Sequence, residues 1–300
     1  MLGSILLTSQ LIKSTDNPIA PQPIARPASE YSDKELAEIY NQGRVDYIVP
    51  MPMNGKRMRE YIDNYDIDLD LSVVAINLQG IEAGIGMLGI RGNRSWITRL
   101  GVAPNNRGLH LGQFLMEEMI QNSVNNGVTS TQLEVIVGNE PALRLFQKLG
   151  YEETRQLIIV RRPPSEFVAD DRFESATATV MEQHEIPLYL EQREAGASWV
   201  EETPSLLNAG KLSGIMVTLT DGRKGWVVFQ RSPFQLSHIV FCNTKDVTLL
   251  QTLLYHVHKS YPMQDTKVEN VPSNHHTWAA FQTFNYLEVF RRTEMVLTLG

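Results

Sequence analysis

A chain of 300 residues, 42% hydrophobic and 20% charged, is long enough for about two domains, each with its own core. Its formal net charge of −7 argues against nonspecific binding along a nucleic-acid backbone, and no apolar run approaches the roughly 20 residues of a membrane span. The single cysteine, Cys242, excludes an internal disulfide framework and suits a reducing cytoplasm, and the seven histidines show no metal-ligand spacing, so no metal is expected.

The opening MLGSILLTSQ is briefly apolar but has neither a basic leader nor a cleavage site, so it is not read as a signal peptide. Residues 1–30, with NPIAPQPIARP, read as a tail leading into a first strand. SDKELAEIYNQ places Ser32 three residues before Glu35, a capping box followed by helix, and a second helix is expected over about 54–65. DLSVVAIN, AGIGMLGIRG and SWITRLGV read as three strands. Residues 110–125 carry Leu111, Phe114, Leu115 and Met119 at helical spacing. QLEVIV is a strand with Leu133, Val135 and Val137 on one face. NEPALRLFQKLG is a helix with an Asn cap, an early proline and a terminal glycine, and YEETRQLIIVRR is the next strand. These elements make a first domain over 31–163. RRPPSEFVADDRFES supplies a linker at 164–175, and a second domain covers 176–300.

The second half repeats the first. A shift of 135 residues lays NEPALRLFQKLGYEE on NHHTWAAFQTFNYLE, so that Asn139, Phe146, Gln147, Tyr151 and Glu153 recur as Asn274, Phe281, Gln282, Tyr286 and Glu288, and Glu134 recurs as Glu269. Upstream the best shift is near 139, which lays Val102 on Phe241, so about four residues are missing from the second copy. SGIMVTLTD, KGWVVFQ, LSHIVF, a helix at 246–258, TKVENV, a further helix and YLEVFRRTEMVL retrace the order of the first half. Capping accounts for both asparagines of the repeat, and Trp226, Trp278 and Phe290 read as core or interdomain packing.

The stretch VAPNNRGLHLG, residues 102–112, runs from a strand end through a glycine-bearing loop into an apolar helix. A helix beginning near residue 109 leaves its first N–H groups unpaired, and its dipole adds partial positive charge. Gly108 and Gly112 let backbone approach a ligand, and Arg107 adds a cation. Together these suit a pyrophosphate, although no Gly-Lys-Ser/Thr follows as in a Walker loop.

LGVAPNNRGLHLGQFL followed by LEVIVGNEPALRLFQKLGYEE resembles the GNAT superfamily of acyl-CoA-dependent N-acetyltransferases, over about residues 22–163. The resemblance implies an α/β (α+β) fold of two GNAT-like domains, each a mixed, mostly antiparallel central sheet flanked by helices. It implies acetyl-CoA as co-substrate, with its pyrophosphate at Arg107, Gly108, Leu109, His110, Leu111 and Gly112. Leu100 and Val102 would pair with pantetheine through their backbones, and Asn139 and Phe146 would lie beside it. The implied reaction is direct acyl transfer to a primary amine in a ternary complex.

Three departures from the family pattern bear on function. His110 stands where the loop usually has its middle glycine, and reads as a helix-surface or phosphate-facing residue rather than a base. Phe146 stands where many members use a tyrosine to protonate the leaving thiolate; Tyr151, solvent or the substrate amine is left for that task. SWITRLGV carries no carboxylate, so Glu134 on the next strand is the candidate base, although its recurrence as Glu269 argues for a partly structural role. The second copy has only CNTKDV opposite the loop, without glycine or arginine, and Asp246 at its helix start would repel a pyrophosphate; it is expected not to bind CoA. The alternative function is a noncatalytic acyl-CoA-binding or sensor protein. No nucleic-acid or membrane partner is expected, and a pseudo-dimeric monomer and a homodimer both remain open.

Overall fold

The computed structural model describes residues 22–300; the first part of the expected tail, residues 1–21, lies outside the described residues. The first half runs β1 (Ile24–Pro27), α1 (Asp33–Gln42), α2 (Gly55–Asn64), β2 (Ile67–Ile76), β3 (Glu82–Arg91), β4 (Arg94–Val102), α3 (Leu111–Asn125), β5 (Ser130–Ile136), α4 (Glu140–Lys148) and β6 (Glu152–Arg162). The second half runs α5 (Asp171–Glu174), β7 (Thr177–Val180), α6 (Ile186–Glu191), α7 (Thr203–Ala209), β8 (Leu212–Thr218), β9 (Lys224–Arg231), β10 (Gln235–Phe241), α8 (Val247–Ser260), β11 (Asp265–Pro272), α9 (His276–Thr283) and β12 (Leu287–Thr298). Among the described residues no helix is long and apolar enough to cross a membrane.

Local chemistry places these elements where the pattern puts them. Ser32 caps α1 reciprocally: its hydroxyl accepts the Glu35 N–H at 3.3 Å while its own N–H donates to the Glu35 carboxylate at 2.8 Å. Asn54 caps α2, Asn139 caps α4 and Asp246 caps α8. The expected partner of Asn139 does not hold: α9 is capped by His275, whose side chain accepts the Thr277 N–H, not by Asn274. Along β2 the side chains alternate between faces. Val74 and Ile76 enter a core with α1 and α2, and Val73 and Ala75 enter one with α3. Leu133 and Val135 share that second core, but Val137 lies past the end of β5 and is exposed. The linker is not loose chain throughout, since Phe173 on α5 is buried and packs near Tyr255 of α8.

Both halves contain mixed, mostly antiparallel strands flanked by helices, as expected, but their strands do not form two separate sheets. All twelve described strands form one sheet, in the order β1-β2-β3-β4-β5-β12-β6-β11-β10-β9-β8-β7. The last strand of each half has crossed to the other. β12 inserts between β5 and β6, and β6 pairs with β11. Ile158 and Val160 of β6, assigned by sequence order to the first domain, sit in the core beneath α8.

A second weld comes from residues 177–210, to which the sequence pattern assigns no elements. Trp199, in a 3₁₀ turn at Trp199–Glu201, is fully buried in the core of the first half. It stacks on Trp96 at 5.9 Å, donates its indole N–H to the Tyr65 carbonyl at 2.9 Å and lies 4.3 Å beneath the Arg91 guanidinium. Arg91 and Arg94 then pair with Glu202 at 2.9 and 2.7 Å. Trp199→Ala should lower stability by about 3–5 kcal/mol, the usual cost of truncating a buried large aromatic, read from the urea midpoint. A loss below about 1 kcal/mol would show that the halves are not held together here.

Candidate active site

β4 and β5 are parallel neighbours for three residue pairs, Arg94–Ser130, Ser95–Thr131 and Trp96–Gln132, after which their pairing stops. The cause lies in β4. Its ladder with β3 slips between Ile85 and Met87, and Arg99 takes a left-handed φ of 52°. A bulge of this kind bends a strand away from its neighbour. The opening leads into a cavity of about 160 Å³ whose walls include Leu100, Asn139 and Phe146, with Glu134 at its side.

Alternation along β5 turns Glu134 away from Leu133 and Val135, onto the face of α1 and α2. There it accepts the Trp96 indole N–H at 2.7 Å and faces the Asn270 amide at 3.5 Å. Burial pushes its carboxyl up to about 7. Arg292 and the indole oppose that shift, while Glu294 and Glu269 reinforce it. The register explains the balance: Glu294 lies directly opposite Glu134 on β12, and Arg155, opposite Glu294 on β6, is spent on a bidentate pair with it at 2.7 and 2.8 Å. Arg292 is likewise committed, to Glu269 at 3.0 Å and to the Asn270 side-chain oxygen at 2.9 Å. A carboxyl titrating near neutrality in a cavity is suited to take and return a proton.

The opposite wall is cationic and aromatic. The Arg99 guanidinium lies 3.9 Å over the Tyr61 ring and donates to the Tyr40 hydroxyl at 3.2 Å. Tyr61 shares a hydrogen bond with Thr98 at 2.7 Å, and burial holds its hydroxyl up at about 12. Arg44 donates to the Leu100 carbonyl at 3.4 Å and stacks at 3.7 Å on Tyr47, whose hydroxyl meets the Asn139 amide at 3.2 Å. Residues 44–47 thus bridge the two splayed strands. This bridge needs the backbones of Gly43 and Gly101 in contact: a Cβ on Gly43 would stand 2.9 Å from the Gly101 carbonyl carbon. The Arg44 Nε and Nη1 groups and Arg99 Nε are buried without a hydrogen-bond partner.

The glycine loop differs in detail from the sequence expectation. The helix starts at Leu111, not near 109, because His110 adopts a left-handed φ of 60° and acts as an N-cap without a side-chain bond. Leu109 is exposed, and Gly108 has a φ of 77° with open space beside it. The first intrahelical bond is from the Phe114 N–H to the His110 carbonyl, so the Leu111, Gly112 and Gln113 N–H groups head the helix without a backbone acceptor among the described residues. Arg107 is not a free cation beside them. It forms a bidentate pair with Asp46, both contacts at 2.7 Å, and donates to the Val102 carbonyl at 3.1 Å.

Tyr151 is a correction. Its hydroxyl bonds Thr131 at 3.3 Å inside the core of α3 and α4, burial raises its pKa, and it does not line the cavity. Phe146 does line it, as do Leu100, Asn139 and Glu134. Sequence reasoning missed Arg44, Tyr47, Tyr61 and Arg99, which carry no motif, and Arg292 of β12 and Glu269 of β11, which reach this cavity from the second half because β12 pairs with β5 and β11 with β6. Among the described residues no group of three or more His, Cys, Asp or Glu side chains is placed to hold a metal ion.

Residues 38–151 match the acetyltransferase (GNAT) family. A stretch of 56 residues is 41% identical to an uncharacterized N-acetyltransferase of Schizosaccharomyces pombe, covering 19% of this chain and about a third (34%) of that relative's length. The whole fold is similar to a GCN5-related N-acetyltransferase from Sphaerobacter thermophilus, with a TM-score of 0.67 at 16% identity over 92% of this chain and 95% of the other. It is also similar to a tandem GNAT protein of the clavulanic acid biosynthesis pathway, with a TM-score of 0.63 at 13% identity over 93% and 98%.

Carboxyl-labelled NMR should find Glu134 titrating near pH 7. Trp96→Phe should move that midpoint higher, because the indole N–H stabilises only the ionised form. A midpoint near the ordinary value of about 4.3 would mean that water reaches this carboxylate.

Proposed function

We propose that this protein, whose residues 38–151 match the GNAT acetyltransferase family, transfers an acetyl group from acetyl-CoA directly to a primary amine, with Glu134 as the base. The observation that carries the reading is a half-buried carboxyl raised to about 7 in the cavity where β4 and β5 part. A sensor would need no such group.

The residues present fit the co-substrate. The unpaired N–H groups of Leu111, Gly112 and Gln113 at the mouth of α3, reached past the open side of Gly108, would hold the pyrophosphate. The unpaired edge of β4 at Leu100 and Val102 would hold the pantetheine arm, with Asn139 and Phe146 beside it. Arg44 and Arg107, now on the Leu100 and Val102 carbonyls, would exchange those acceptors for the carrier's. When bound, acetyl-CoA supplies an activated acyl group and a thiolate that can leave.

An alkyl ammonium has a pKa near ~10, so the acceptor must lose a proton before it attacks. Glu134 takes that proton, and the neighbouring glutamates that raise its pKa make it a stronger base. Arg99 and Glu269 both line this cavity, held in place by Tyr40 and by Lys267 and Arg292, so the amine meets an ordered field rather than bulk water alone. Phe146 cannot protonate a leaving thiolate. Tyr47, half-buried in the same wall with its hydroxyl held by the Asn139 amide, is the candidate replacement.

Thiol release from acetyl-CoA in the presence of a primary-amine panel should identify at least one acceptor. Its kcat/KM should rise with pH through about 7 as Glu134 ionises. Glu134→Gln should lower kcat by about 10²–10⁴-fold while leaving the acetyl-CoA Kd within about twofold. Saturable acetyl-CoA binding with no turnover of any amine would make the protein a sensor, and an unchanged kcat in Glu134→Gln would remove this residue as the base.

A further inference from the structure

The second half has its own splay. β10 and β11 are parallel neighbours for two pairs, Gln235–Asp265 and Leu236–Thr266, and then part. Here too the cause is a bulge, with His238 at a φ of 51° and a slip against β9 between Ser237 and Val240. The space that results is larger than the first, about 340 Å³, and Glu269 lines both. The two chambers therefore share a wall.

The start of α8, next to this chamber, carries an anion where the first half has its glycine loop, which disfavours a pyrophosphate there. Asp246 occupies the helix start with its own carboxylate, accepting the Leu249 N–H and pairing with Arg223. The interior is a different matter. Glu201 is 7% exposed and lines the chamber, yet among the described residues neither of its carboxylate oxygens has a hydrogen-bond donor. His238 stands 3.6 Å from it, a favourable charge contact too long for a hydrogen bond. The hydroxyl of Ser198, 3% exposed, is also unpartnered in the same wall. A buried carboxylate without donors costs several kcal/mol, so a donor-rich group belongs there.

Beside it stands a cation with the opposite need. Arg193 lines the chamber, forms no ion pair among the described residues, and makes one side-chain hydrogen bond, from Nη1 to the Glu201 backbone carbonyl at 2.6 Å. That bond fixes the guanidinium next to the Glu201 residue. The remaining walls include apolar Ile239, Val240, Val268 and Phe281. An acceptor-seeking guanidinium, a donor-seeking carboxylate and an apolar wall in one enclosure complement an ammonium, a carboxylate and an apolar side chain on one molecule.

We propose that the chamber between β10 and β11 binds a free amino acid with an apolar side chain, its ammonium on Glu201 and its carboxylate on Arg193. This site is distinct from the cavity beside Glu134 and does not depend on acetyl transfer there.

Titration calorimetry of the full chain with L-norleucine, pentylamine and hexanoate tests it, since the last two each keep one of the two charges. L-norleucine should bind saturably and at least about tenfold more tightly than either. Glu201→Gln should remove pentylamine binding and leave hexanoate unchanged, and Arg193→Gln should do the reverse. No binding of L-norleucine, or hexanoate binding as tightly as L-norleucine, overturns the proposal; the wild-type comparison needs no variant to fold. Acetyl-CoA titration of the same samples keeps the two readings apart. Loss of acetyl-CoA binding alone would count against the transfer function, and loss of L-norleucine binding alone against this site.

Discussion

Two parallel strands that stop pairing are the constraint on which this structure depends. A parallel ladder is ordinarily continuous, because each unpaired N–H or carbonyl inside a protein carries a desolvation cost. β4 breaks its ladder with β5 after three pairs, when Arg99 enters the left-handed region and the strand bends. The freed edge has to be satisfied by something that is not a strand. In this structure Arg44 and Arg107 satisfy part of it through the Leu100 and Val102 carbonyls. They are side chains on a connecting segment, so an extended ligand with amides of its own can take their place. A regular strand could not be displaced so cheaply.

The exchange of β6 and β12 gives the splay a floor. β5 needs a partner on its far side, and β12 supplies it over seven register positions from Arg292–Ile136 to Thr298–Ser130. That pairing carries Glu294 opposite Glu134 and delivers Arg292 to the same cavity, while β11 adds Glu269 and Asn270. The second half therefore furnishes half of the electrostatic surroundings of the first cavity. Trp199 and Glu202 fix this relationship on the same face of the sheet, where they meet Trp96, Arg91 and Arg94. Trp96 then connects the two: one face of its ring stacks on Trp199 and its N–H holds Glu134.

Much of the fold was legible because its elements are set by local pattern. The capping box at Ser32 and Glu35, the apolar spacing of Leu111, Leu115 and Met119, and the alternation of Leu133 and Val135 depend on neighbours within a turn or two. The repeat was legible at the level of geometry as well. The shift of 139 that aligns Val102 with Phe241 also relates the two bulge residues, Arg99 and His238. Strand order was hidden, since a strand's hydrophobic pattern records that a face is buried and not which strand lies beside it. The pairing of Arg107 was hidden for a related reason: its partner Asp46 is 61 positions away and on no motif. Tyr151 was misjudged because a buried tyrosine and a catalytic one share a sequence context, and only its bond to Thr131 tells them apart.

Glu134 and Glu269 show how far a repeated scaffold can diverge in chemistry. They occupy matching places in the repeat, 135 residues apart, and burial works against the charge of both. Glu269 nevertheless stays ionised, with its carboxyl held below the ordinary range, because Arg292 and Lys267 bond to it at 3.0 and 2.6 Å. Among the described residues Glu134 has no cation in hydrogen-bond contact, only the Trp96 indole N–H and a distant Asn270 amide, and a like charge lies opposite it. Two cations bond to Glu269 and none to Glu134, and that difference separates them. Had Arg292 reached Glu134 instead, the first cavity would hold a permanent anion with little basicity, while Glu269 would keep Lys267 as its partner. Recurrence of a glutamate in both halves is therefore no argument that it does the same work in each, because the protonation of a buried carboxyl is set by the nearest cation and not by its place in the fold.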